Sequence, residues 1–525
     1  MARLPITTVR EGTDATDMAN TIFGDGVSII GATYTGDIDS AGIYTDGDSI
    51  ADSATPGDTG VILSSGNVES YTRDGGDPNR ATNTSANTTG QNNNAQFNAA
   101  AGTNTFDAAY LDVDFTATGD TMTMQFIFAS EEYPEFQNSV YQDFVGVWIN
   151  GQQVDVGVGN GDTDPGNLNN SSNENLYLDN TGDAHNTEMD GLTVTLTLTF
   201  PVFNDGSVNS IRIGIADVSD SSYDSNLLIA GGSLQTTLIA NNDRFHLPDP
   251  NGSRILNVLG NDTIPNPATL EITHINGVRV FPNDTVPLST GQTARLTTDG
   301  RIEIFGDGDD EDFNFTYTIA DGVNTDTGIV NISSIPCFVA GTVIDTPDGP
   351  RLVETLRPGD LVMTRDDGAQ PIRWAGTRTV EASGAFAPIH IAGGTFGPHG
   401  AVMVSPEHRI LIRDALTELL FGEAEVLVAA KHLVTGGAVC RREGGEVTYV
   451  HIMFDRHQVV SSAGLETESF LPGPQTCDSF EAAVLEEICA IFPELDPATG
   501  DGYGPAARRT LRGYEAGLWA AARAA

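Results

Sequence analysis

The first 336 residues contain no cysteine, and the whole chain of 525 contains a single lysine, Lys431. Thiol chemistry is thereby excluded from the front of the protein and confined to whatever begins at Cys337. Basic residues of any kind are scarce: 25 Lys and Arg stand against 72 Asp and Glu, a formal net charge of −47 at pH 7. Phosphate binding needs a basic face, so the balance argues against nucleic acid as a partner. No apolar run is long enough to make a transmembrane segment, and the opening MARLPITTVREGTDATDMAN lacks the apolar stretch of a secretory leader. A cysteine-free acidic front nevertheless reads as extracellular. The expectation that satisfies both is an extracellular or cell-surface protein exported without a classical N-terminal signal peptide, through a one-step exporter that reads the C-terminus. The cytoplasm is the alternative location.

The charge is unevenly spread. Residues 1–336 hold 10 basic and 47 acidic residues, a net of −37, whereas residues 337–525 hold 15 and 25, a net of −10. A compact body at −37 repels itself unless counterions gather on it. Clustered Asp and Asn beside Gly turns suit Ca2+, a hard cation that takes about six to eight oxygen ligands. Structural calcium in the front domains is therefore expected. Plain solubility, or life in salty water, would need no specific site.

A chain of 525 residues exceeds one hydrophobic core, and about three domains is the natural expectation. Residues 1–239 read as mainly β. TMTMQFIF (121–128), FVGVWI (144–149), LTVTLTLTF (192–200) and SIRIGIA (210–216) are β-branched and bounded by Gly, Asp and Asn turns. The Asn/Thr/Gly-rich interval 73–104 is expected to be a long loop. Residues 240–335 form a second β unit with shorter strands. Residues 336–475 form a third, richer in Arg and His, with hairpin signals every eight to twelve residues. The tail, 476–525, switches to a helical period over 478–492 and 506–524.

The first stretch resembles the bacterial choice-of-anchor L family of surface and secreted proteins, on FIFASEEYPEF (126–136), DFVGVWING (143–151) and IADVSDSSYDSNLLI (215–229). This implies a β-sandwich and carries no catalytic role. Within those blocks Glu131 and Glu132 follow a strand, and Asp217, Asp220 and Asp224 crowd one turn where like charges repel without a cation. With Asp143 they are the candidate metal ligands. The second stretch resembles the cadherin-like or Ig-like repeats of bacterial adhesins, on ANNDRF (240–245), NVLGNDT (257–263) and FTYTIADGVNTDTGIV (315–330). That implies an Ig-like sandwich acting as a spacer, with Asp243, Asp262 and Asp321 as further calcium candidates.

The third stretch opens CFVAGT at Cys337. It continues with V-x-x-L-x-x-G-D-x-V (353–362), VSPEHRIL (404–411) and TYVHIMFDRHQVVSSAGLETESF (448–470). These four blocks, in order, resemble the Hint superfamily, the self-processing fold of hedgehog autoprocessing domains and inteins. The resemblance implies an all-β, horseshoe-like domain that cleaves the chain at Pro336–Cys337. In an N-to-S acyl shift the Cys337 sulfur attacks the carbonyl of Pro336 through a five-membered ring, and an amide becomes a more easily cleaved thioester. Such a step needs a reactive thiol, a stabilised oxyanion and a proton for the departing amine. The resemblance assigns that help to His408 in the block Ser405-Pro406-Glu407-His408, where Ser405 replaces the family's threonine. It assigns breakdown of the intermediate or thioester to His457, eight residues after Tyr449. Asp455 and His451 are supporting candidates, because strand alternation would put them on one face with His457.

Splicing needs a C-terminal His-Asn, and the only such pair, His185-Asn186, lies far upstream. Cleavage or acyl transfer is therefore favoured, the acceptor being water, a small thiol or an amine on a cell-surface molecule. The Hint chemistry calls for no cofactor. Cys440, Cys477 and Cys489 carry no metal spacing, and pairing of Cys477 with Cys489 is left open. Two other readings stand beside this one: a calcium-binding adhesive surface protein with a catalytically silent Hint fold, and an intermolecular Cys337–His408 protease.

Overall fold

The computed structural model describes residues 2–471 except 77, 138, 160, 246, 248–251, 268, 308–312, 333–336, 383–386 and 435–436. Beyond 471 it describes only 488, 491, 492, 495, 503, 504, 506–511, 516, 517, 519, 520 and 523. Pro336, Cys477, Cys489 and most of the two expected tail helices lie outside the described residues. The described chain is mostly β, as expected, with four short α-helices. It divides into two compact units: Met1–Asp243 with Ile255–Ile304 and Phe313–Asn331, and Arg244–Arg254 with Phe305–Asp312 and Ile332–Ala525.

The first unit is built on a two-sheet sandwich. Its longest alternating sequences become central strands. Thr121–Ser130 lies between Ser225–Ala230 on one side and Leu196–Pro201 with Gly191–Thr193 on the other. In the second sheet Asn209–Val218 lies between Thr105–Ala117 and Phe144–Ile149. Phe126, Phe128, Leu227 and Ile229 from one sheet meet Leu111, Phe115, Val147 and Ile213 from the other in one buried core. Each such side chain contributes about 1.5–3 kcal/mol through burial.

The expected long loop 73–104 is interrupted by a helix, Ala95–Ala101. Asn94 caps it, its Oδ1 accepting from the Gln96 and Phe97 amides at 3.0 and 3.3 Å. Phe97 anchors it among Tyr110, Phe144 and Trp148. A single aromatic in a polar run makes no helical period, which is why composition alone reads as loop.

The second β unit contributes the paired strands Glu271–Ile275 and Phe313–Ala320 and the hairpin Thr285–Pro287/Thr293–Leu296. It is joined to the sandwich by polar contacts: Gln125 Nε2 donates to Thr325 O at 2.8 Å, and Asn175 Nδ2 to Asn314 O at 2.9 Å. Asp262 accepts from the Asn241 amide and the Tyr317 hydroxyl, and Asp321 from the Val323 and Asn324 amides.

In the second unit a six-stranded sheet runs Trp374–Glu381, Glu446–Met453, Phe338–Val339, Val402–Val404, Ile389–Ile391, Val439–Arg441. The other sheet contains Val343–Thr346, Val459–Ser462, Leu465–Glu468, Arg409–Ile412 and Val426–Ala429. Both feed one core that includes Phe338, Ile344, Val404, Ile410, Ile452 and Phe454. The two-residue strand Phe338–Val339 is the key placement. Phe338 pairs with Val404 on one side and Val450 on the other, so three of the sequence blocks meet at the residue after Cys337.

Candidate functional site

Cys337 is buried, in the apolar cluster that includes Trp374, Tyr449, Met453 and Phe470. Its backbone is clamped by Ser405: the Cys337 amide donates to Ser405 Oγ at 2.8 Å, and the Ser405 amide donates to Cys337 O at 2.9 Å. The Sγ atom lies 3.4 Å from His451 Nε2. Burial pushes the thiol well above its ordinary value, only partly offset by Ser405 and the Arg378 charge. The resting sulfur is a neutral thiol beside an imidazole.

His408 is 1% exposed, its ring tilted against Phe338 with centroids 4.3 Å apart. Neither ring nitrogen has a hydrogen-bond partner, while its amide is tied to Ser405 O at 3.1 Å. Burial pushes its pKa down to about 4, so it is neutral at pH 7 with two unspent nitrogens.

His457 is differently engaged. Its Nδ1 accepts the Ala507 amide at 2.9 Å, which leaves the proton on Nε2, facing Ser469 O at 3.1 Å and Glu468 Oε2 at 3.3 Å. Glu468 is fully buried. Beyond His457 it takes the Arg409 amide at 2.8 Å and the Arg409 guanidinium at 3.1 Å. Despite the cost of burial, Arg409 and the two histidines hold its carboxyl below the usual range. Sequence reasoning missed Glu468; the signal was an acid inside the closing block, ETESF.

Asp455 stands apart, 62% exposed and paired with Arg373 at 3.0 Å. The strand ends at Met453, so the two-residue alternation does not carry on to it. The structure thus brings Cys337, Ser405 and His451 together, seats the His408 ring on Phe338 on the side of Glu468 and His457, ties His457 to Glu468, and leaves Asp455 outside.

The front candidates gather at one end of the sandwich, where strands from both sheets begin or stop. Glu131 and Glu132 follow Thr121–Ser130, Asp143 precedes Phe144–Ile149, Asp217 closes Asn209–Val218, and Asp224 precedes Ser225–Ala230. All five are at most 2% exposed, whereas Asp220 is half-buried at the rim. Desolvation and mutual repulsion push their carboxyls up: Glu132 to about 9, Asp224 to about 7, Asp143 and Asp217 well above the usual range. Glu131, also raised to about 9, feels Asp190 and Glu188 and so belongs to a neighbouring group. Asp107, buried in the strand Thr105–Ala117, repels Asp217 and Asp224 and was not foreseen. Its place near the start of a long strand gives no acidic-turn pattern to notice.

Two family profiles match: the Hint domain over residues 336–474 and the choice-of-anchor L domain over residues 7–235. No curated protein is significantly similar to the chain. Among solved structures, the gp41-1 intein aligns at 12% identity over 26% of this chain and 98% of its own, with a TM-score of 0.17. A bacterial intein-like domain from Clostridium thermocellum aligns at 16% identity over 26% and 99%, with a TM-score of 0.20. At scores of that size the assignment rests on the family profiles. No helix among the described residues is long and apolar enough to cross a membrane.

Proposed function

Starting from a chain with a choice-of-anchor L domain over residues 7–235 and a Hint domain over 336–474, we propose that it cuts itself between Pro336 and Cys337. The chemistry runs through a thioester. The supporting observation is the 3.4 Å contact of Cys337 Sγ with His451 Nε2, on a residue whose amide is already held by Ser405.

His451 takes the Sγ proton as the sulfur adds to the Pro336 carbonyl carbon. The tetrahedral adduct collapses with loss of its bond to the Cys337 nitrogen. The His451 imidazolium returns that proton to the departing nitrogen, so charge and protons balance, while neutral His408, packed on Phe338, is a positioning residue that holds the Ser405 turn through its amide. Ser405 Oγ fixes the direction of the scissile N–H. His457 is a positioning residue, acting through Glu468 rather than on the sulfur. The Pro336 acyl group then passes from sulfur to an acceptor: water, a small thiol, or an amine on a cell-surface molecule. Water returns the Cys337 thiol and a Pro336 carboxylate, and releases the front part. The choice-of-anchor L domain supports a secreted or surface setting for that part.

Intact-mass analysis of purified full-length protein, with and without a small added thiol, tests this. A fragment ending at Pro336, carrying the thiol when it is present and absent in Cys337→Ala, is expected. An undivided mass under both conditions would favour the second reading, a silent Hint scaffold. The observation on that side is the deeply buried, neutral Cys337 thiol.

A further inference from the structure

One buried group outside the thiol site has no account in the self-cleavage. Glu132, Asp143, Asp217 and Asp224 are each at most 2% exposed, and the charges acting on them come from one another and from Asp107 and Asp220. Burying one unpaired carboxylate costs several kcal/mol; four at one end of a sandwich need a reason.

The contacts show which oxygens are spent. Asp143 accepts from Ser225 Oγ at 2.6 Å and from the Val218 amide at 3.2 Å. Asp224 Oδ1 accepts from the Ala86 amide at 2.8 Å. Its Oδ2 has no partner, nor has Glu132 Oε2, and both oxygens of Asp217 are unpartnered although the residue is 0% exposed. A side-chain interaction with Ser65 partly offsets the rise of the Asp217 carboxyl. Gly66 makes room for Asp224: a Cβ there would stand 1.8 Å from its Oδ2.

We propose that Glu132, Asp143, Asp217 and Asp224 form a binding site for an oxygen-seeking divalent cation of the Ca2+ class. Oxygen-only donors on loop-proximal strand ends suit a cation that accepts irregular, high coordination over one that demands nitrogen or sulfur. Among the described residues no three such groups already converge closely enough to hold a metal. Binding therefore draws the carboxylates inward, and the site stiffens the end of the sandwich where strands of both sheets meet.

The test uses the full-length Cys337→Ala chain, so that one covalent species is present whatever Cys337 does. After chelator treatment, CaCl2 is titrated calorimetrically and the thermal midpoint of the front unit is followed. Saturable binding with a raised midpoint is expected, weakened at least tenfold in Asp217→Asn and in Gly66→Ala. Asp217→Asn removes a buried charge and should leave the calcium-free fold intact, which circular dichroism checks. Absence of binding heat up to millimolar CaCl2, or equal binding by parent and both variants, overturns the site. Neither result bears on cleavage at Cys337.

Discussion

At the scale of single residues the proposed reactive centre separates into what a linear motif carries and what only folding supplies. Cys337, Ser405 and His408 each sit in a short block whose spacing is itself the message, and the structure hydrogen-bonds the first two to each other. His451 stands in the sequence only as a supporting candidate and Glu468 not at all, because their places come from pairing across the sheet and from burial. Replacing His451 by Ala should slow cleavage about a hundredfold or more, the usual worth of a positioned proton acceptor. His457→Ala should act chiefly on stability, about 1–3 kcal/mol, by leaving Glu468 and the Ala507 amide short of a partner. Single-turnover cleavage rates and urea midpoints on the same variants separate the two; a rate loss in His457→Ala matching that in His451→Ala would reverse the assignment.

His408 also predicts a pH response. Unfolded, its imidazole takes a proton near pH 6.5; folded, only near pH 4. Between those values the unfolded state binds the proton first, so stability is lost as pH falls and levels off once both states are protonated. The full loss is about 3 kcal/mol. Glu468, held below its ordinary value, adds its own loss only below about pH 4.5. Hydrogen exchange of the strand Arg409–Ile412 between pH 7 and 5 should show the His408 share, and His408→Gln should flatten it. An unchanged slope in that variant would place the titration elsewhere.

At the scale of elements, the strands were readable because a two-residue period survives any context that buries one face. The helix Ala95–Ala101 was not, because its stability comes from a cap and one anchor. Asn94→Ala should destabilise the front unit by about 1 kcal/mol, and Phe97→Ala by about 3–5 kcal/mol through the cavity left among Tyr110, Phe144 and Trp148. Thermal midpoints of the two variants check the order; a larger effect from the cap would mean that the helix is not held by its aromatic anchor. The acidic end of the sandwich teaches the same lesson in reverse. Turn acids at 217–224 were visible in the sequence, while Asp107, delivered by a neighbouring strand, was visible only after the sheet was assembled.

At the scale of the whole molecule the governing quantity is charge. Residues 1–336 carry a net of −37 and the remainder −10, so self-repulsion weighs most on the front part. Screening relieves repulsion between exposed charges over about 8–10 Å near physiological ionic strength, yet reaches a desolvated carboxylate poorly. The two sources of strain should therefore answer to different ions. Raising NaCl should lift the thermal midpoint of the front unit gradually, without saturation, and by more than that of the Hint-bearing unit. CaCl2 at matched ionic strength should add a saturable step confined to the front unit and abolished by chelator. If NaCl and CaCl2 gave superimposable midpoints at every ionic strength, general screening alone would account for the front unit's charge. The buried carboxyls would then be holding protons instead of a cation.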